Sequence, residues 1–134
     1  MTALALALLP ARYAVAQLPA GSGLPGWWPC SGMRHAGWTD DELSLVCEEA
    51  HVPDDVRCQR GWRAFKLQGP FDFAQTGILK SVLDPLAEAG VGIFALSTYD
   101  TDYVLVQSHQ LDVATRALRS AGHRLQGDGL EGRN

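Results

Sequence analysis

The residues best equipped for chemistry lie together in one run, Ser97-Thr98-Tyr99-Asp100-Thr101-Asp102. Apolar stretches rich in β-formers flank it at 93–96 and 103–106, each about one short strand long. Ser and Asp are turn formers, so the pattern predicts a β-hairpin whose apex carries hydroxyls and two carboxylates, Asp100 and Asp102. Such an apex suits an ammonium group, although a plain solvated turn has the same composition. Other reactive side chains are scattered. His35, His51, His109, His123, the three cysteines and the Asp40-Asp41-Glu42 run supply acids, bases and nucleophiles without a catalytic spacing. There is no His-Glu-x-x-His, no Gly-x-Ser-x-Gly and no P-loop. The expectation is a protein that is not an enzyme and holds no metal or cofactor, since no His or Cys pair has ligand spacing. His109 and His123 fall near helix ends, where surface exposure is the expectation.

The chain has 134 residues, enough for one compact domain or two very small ones sharing a core. With 46% hydrophobic and 19% charged residues it can bury a core. A net charge of -4 gives no footprint for nucleic acid and no polybasic cluster for a membrane surface. No stretch approaches a bilayer-spanning length. Cys30, Cys47 and Cys58 are odd in number and widely spaced, which fits a reducing cytoplasm better than a disulfide framework. Residues 3–9 imitate a signal peptide, but they are short and carry no preceding basic side chain, so a buried first strand is expected.

Strands are expected at 4–9 and 13–18 around the Pro10-Ala11-Arg12 turn. Residues 19–29 are rich in Gly and Pro and read as a loop pinned to a core by Trp27 and Trp28. Strands at 31–38 and 42–47 follow, with Leu43, Leu45 and Cys47 on one face, and then a charged linker over 48–60. Residues 62–67 alternate as a strand that Gly69-Pro70 ends. Over 76–88, Ile78, Val82 and Leu86 lie four apart, joined by Leu79 and Leu83, a helix with Thr76 as N-cap and Gly90 as left-handed C-cap. Pro85 should kink it. Leu111, Ala114, Leu118 and Ala121 mark a second helix, and 123–125 a last short strand. The second half is thus β-α-β-β-α-β, an α+β, ferredoxin-like arrangement with two helices on one face of an antiparallel sheet. Laid at a shift of sixty, 32–46 echoes 92–106 through Gly32/Gly92, Asp40/Asp100, Leu45/Leu105 and Val46/Val106. A degenerate, mostly β copy is therefore expected over 1–60, the full domain over 61–126, and a flexible tail over 127–134.

Gly61-Trp62-Arg63-Ala64-Phe65, Gly69-Pro70-Phe71-Asp72-Phe73, Thr76-Gly77-Ile78 and the run Ser97-Thr98-Tyr99-Asp100-Thr101-Asp102-Tyr103-Val104-Leu105-Val106 resemble small bacterial ACT-domain proteins related to CASTOR-type arginine sensors and aspartate kinase regulatory domains. Asp41-Glu42-Leu43-Ser44-Leu45-Val46-Cys47 resembles a stretch of their first domain. The resemblance implies regulatory binding of an amino acid, without a reaction, at an interface between ACT domains, and a homodimer. It carries the binding role to Thr76, Gly77 and Ile78 and to Ser97, Thr98, Tyr99, Asp100 and Asp102. Elementary chemistry agrees: a helix start offers unpaired N–H groups to a carboxylate, and an Asp takes the ammonium. In this topology the helix start and the hairpin need not meet within one domain, which makes a facing domain attractive. A dimerisation module without ligand is the alternative reading, and a small enzyme comes third.

Overall fold

The computed structural model describes residues 3–72 and 74–127. In chain order it forms β1 (Ala5–Leu8), β2 (Tyr13–Pro19), β3 (His35–Trp38), β4 (Glu42–Glu48), β5 (Cys58–Leu67), α1 (Ile78–Glu88), β6 (Ile93–Ser97), β7 (Asp102–Gln107), α2 (Leu111–Ser120) and β8 (Arg124–Gly127). Single 3-10 turns follow β4 and β7. The described residues divide into two compact units. One runs from Ala11 to Trp62; the other joins the residues up to Pro10 to those from Arg63 onward. β1 thus groups with the residues from Arg63 onward.

In the larger unit the strand order is β8, β1, β5, β7, β6. The expected β-α-β-β-α-β series is present as β5-α1-β6-β7-α2-β8. One strand is added to it. β1 lies between β5 and β8, antiparallel to the first and parallel to the second, so the sheet is not wholly antiparallel. Nor does β1 form a hairpin with β2 across Pro10; it pairs Leu6 with Leu67 and Leu8 with Phe65. Its alternation explains the placement: Leu4, Leu6 and Leu8 are all buried on the face that carries the helices. There they join Phe65, Leu67, Val104 and Val106, with Val82 and Leu86 of α1 and Ala114 and Leu118 of α2. Each fully buried Leu or Phe contributes about 1.5–3 kcal/mol. Gly127, expected in the tail, ends β8 opposite Leu8; residues 128–134 lie outside the described ones.

Helix α1 departs from expectation at its start. Its N-cap is Gly77 (φ 77°) and not Thr76, and no side chain caps it. Its C-terminus closes as expected: Gly90 (φ 75°) donates to Ala87 O and Val91 N–H to Leu86 O. Pro85, inside the helix, has no N–H to offer the carbonyl four residues back, that of Ser81. His123 fills the vacancy. Its Nε2 stands 2.8 Å from Ser81 O while its Nδ1 accepts the Leu4 N–H at 3.0 Å. That pair of partners assigns the proton to Nε2. His123 is only 4% exposed, contrary to the surface expectation, because it replaces a bond the proline removed and ties α1 to the residue just before β1.

The smaller unit pairs β3 with β4, β4 with β2, and β2 with the first residues of β5. Ala16, Leu43 and Leu45, and beside them Ala14 and Cys47, are covered by Trp27 and Trp28. The charged stretch after β4 is shorter than the expected linker, since β5 already begins at Cys58. Burial, reinforced by Glu48 and Cys58, pushes the Cys47 thiol up to about 11. Such a thiol stays protonated and makes a poor nucleophile.

The internal repeat is real in geometry but shifted by one residue. The 3-10 turns Glu49–His51 and Ser108–Gln110 lie fifty-nine positions apart. The loops match at the same offset. Thr39 N–H donates to Glu42 O at 2.9 Å and Thr98 N–H to Thr101 O at 2.8 Å. Thr39 Oγ1 accepts the Glu42 N–H, as Thr98 Oγ1 accepts that of Thr101. At the expected shift of sixty every side chain would change face, so the four identities aligned there do not mark equivalent positions.

Two measurements test these cores. His123→Leu strands a buried N–H and a carbonyl and should cost about 2–4 kcal/mol in urea denaturation. In a Pro85→Ala background the cost should fall, because residue 85 then supplies its own N–H to Ser81 O; equal costs in both backgrounds refute the coupling. For Cys47, the unfolded thiol ionises near 9.0 and the folded one near 11. Stability should therefore decline as pH rises from 9 toward 11, and Cys47→Ala should decline less over that window.

Candidate functional site

The hairpin β6–β7 pairs Ser97 with Asp102 and leaves a four-residue loop, 98–101. Its shape is set from inside. Thr101 is 7% exposed, and its Oγ1 donates to Leu67 O at 2.6 Å. Beside it the Phe71 N–H donates to Asp100 O at 2.8 Å. These two bonds stitch the loop to the segment leaving β5. The fit needs glycine at position 69, where a Cβ would stand 2.9 Å from Asp100 O and 3.0 Å from Phe71 N. The segment then turns over Asp72: Asp72 Oδ1 accepts the Ala74 N–H, and Gln75 Oε1 accepts the Asp72 N–H. From there the chain enters α1.

This path brings the helix start and the acidic hairpin together within one unit. A cleft of about 120 Å³ is lined by Phe71, Asp72, Gln75 and Ile78 on one side and by residues 97–102 on the other. Of the residues expected from sequence, Ile78, Ser97, Thr98, Tyr99, Asp100 and Asp102 line it. Thr76 and Gly77 do not; both are exposed beside it. Gly77 has open space where a Cβ would stand, so its left-handed φ, not a close approach, explains the glycine. Asp72, Gln75, Phe71 and Thr101 escaped the sequence reading. The Asp-x-x-Gln spacing of a side-chain-closed turn was the available signal for two of them.

The cleft is electrostatically one-sided. Asp72, Asp100 and Asp102 contribute three carboxylates, and among the described residues no Lys or Arg lines it. Ser97 Oγ donates to Asp102 Oδ1, which fixes one carboxylate and leaves its other oxygen for a ligand. A positive feature at the rim is the start of α1, with no side-chain cap and no acidic residue in its first turn. A cation is drawn to the hairpin side by Asp100 and Asp102, while the helix side combines the α1 start with the Asp72 carboxylate. Tyr99 stands at the edge, 80% exposed.

A family model described as ACT domain matches residues 57–120, and a second, describing an N-terminal domain, matches 11–55. An Agobacterium tumefaciens protein solved by X-ray crystallography is 40% identical, covers 100% of each chain and has a TM-score of 0.90. Human cytosolic arginine sensor for mTORC1 subunit 1 is 46% identical over 43 residues, which is 32% of this chain and 13% of the sensor. Human CASTOR3P is 47% identical over 45 residues, 34% of this chain and 28% of that protein. The match thus spans less than a third of either human relative. The regulatory subunit of aspartate kinase from Thermus thermophilus, solved ligand-free, has a TM-score of 0.64 at 10% identity, covering 90% of this chain and 99% of that one. At that identity the likeness speaks for the fold alone. No helix among the described residues is long and apolar enough to cross a membrane. A ferredoxin-like series carrying both helices on one face and a domain model over residues 57–120 identify an ACT domain in this chain.

Proposed function

We propose that the chain is a regulatory module that binds a free amino acid in the cleft between the start of α1 and the 97–102 turn, and catalyses no reaction. One observation carries the reading: a single cleft joins an uncapped helix N-terminus to three carboxylates with no competing cationic side chain. The ligand's carboxylate faces the helix N–H groups and its ammonium faces Asp100 and Asp102. A cleft of about 120 Å³ holds such a molecule only in part. The exposed Tyr99 ring and the open side therefore suit closure by a second ACT unit, in a homodimer. The ligand would then sit at an interface between ACT domains, its polar ends both held by one copy. Three free cysteines suit a cytoplasmic setting. The excess of carboxylates favours an amino acid with a second positive charge, and arginine, which the human relative's name says it senses, is the first to try.

Isothermal titration of the twenty amino acids tests this. Binding of at least one is expected, with about 2.7 kcal/mol of added stability at a hundredfold excess over Kd. Asp102→Asn should weaken binding at least tenfold while sedimentation still reports a dimer. A chain that dimerises yet binds none of the twenty would be the dimerisation module without ligand.

A further inference from the structure

The 98–101 turn has a second side. Opposite the acidic cleft, a larger one of about 250 Å³ is lined by Lys66, Gln68, Gly69, Pro70, Thr98, Asp100, Thr101 and Tyr103. Its chemistry differs. Lys66 brings an ammonium, Asp100 a carboxylate, Tyr103 a phenol and Gln68 an amide. Among the described residues, no hydrogen bond or ion pair engages these four side chains. Polar side chains facing a concavity without partners are groups that a ligand can satisfy. The backbone of the turn that forms one wall is fixed by the same two bonds, Thr101 Oγ1 to Leu67 O and Phe71 N–H to Asp100 O.

The smaller unit also has a cleft at the corresponding turn. By the offset of fifty-nine, Asp41 is the equivalent of Asp100. Asp41 lines a cleft of about 370 Å³ with Arg57, Gln17, Leu18 and Pro19. Here too a turn carboxylate faces a cationic side chain and a glutamine, at the end of the strand beside the hairpin. Only the carboxylate is at an equivalent position, and the Gln17 amide already donates to Glu42 Oε1 at 3.3 Å.

We infer that the cleft between Lys66 and Asp100 is a second small-molecule site, separate from the acidic cleft, for a small zwitterion. The ligand's carboxylate pairs with Lys66, supported by Tyr103 and Gln68, and its ammonium pairs with Asp100. Because Asp100 and Thr98 line both clefts, occupation of one changes the groups open to the other. The inference does not rest on the acidic cleft being occupied, since Asp72, Ile78 and Asp102 line only that one.

The test is a titration of the full chain with glycine, followed by amide chemical shifts, with acetate and methylammonium as separate arms. Glycine is expected to move Gln68, Gly69 and Tyr103, and each half-molecule to do so only at much higher concentration. Lys66→Met should weaken the glycine effect at least tenfold and Lys66→Arg should retain most of it. Tyr103→Phe gives a second, milder loss should Lys66→Met prove unfolded by its melting curve. Glycine shifts confined to 72–78, or an equal response in Lys66→Met and the parent chain, would overturn the site while leaving the acidic cleft standing.

Discussion

The hydrogen bond from Thr101 Oγ1 to Leu67 O, with its neighbour from Phe71 N–H to Asp100 O, is the constraint on which the rest of the site depends. A four-residue hairpin loop has no intrinsic reason to lean over its own sheet. Here the loop is pinned to the end of an adjacent strand by one buried hydroxyl and one amide. Each such bond is worth only about 1 kcal/mol net. Left unmade, either would strand a buried polar group, and that penalty makes the arrangement specific. Once it is made, the segment after β5 has a single direction in which to leave. Its turn over Asp72 and Gln75 delivers the start of α1 beside Ser97 and Asp102.

Much of this was legible in the sequence wherever a local pattern sufficed. The alternation of β5, the four-residue spacing of Ile78, Val82 and Leu86, and the Gly90 cap each depend on neighbours close in the chain, and each was read as it stands. The features that escaped depend on distant partners. Nothing in residues 4–9 says that this strand will pair with 65–67 and 124–127 rather than turn back at Pro10. His123 looked like a surface residue at a helix end, because the carbonyl it serves is freed by a proline thirty-eight positions earlier. The repeat was found one residue out of register, since identity aligns letters whereas hydrogen bonds align backbones. The meeting of helix start and hairpin depends on the stitch at Thr101, which no spacing in the sequence announces.

The start of α1 completes the physical case by what it lacks. Thr76 stands immediately before Gly77, and a threonine one position later would be an ordinary N-cap. Replacing a capping Ser, Thr, Asp or Asn typically costs about 1 kcal/mol of helix stability, though glycine itself loses only a few tenths relative to the best caps. Gly77 at φ 77° therefore gives up little and leaves the first N–H groups of the helix without a side chain over them. A capping oxygen would satisfy one of those donors and put its own partial negative charge where an anion would sit. On the opposite wall, Asp100 and Asp102 remain without a lysine or arginine lining the cleft among the described residues, a configuration tolerated because Asp100 is exposed and hydrated while Ser97 supports Asp102. Both walls are thus held short of their own electrostatic satisfaction by residues that could easily have been otherwise. A molecule carrying one charge of each sign, a few ångströms apart, is the simplest partner that satisfies both at once.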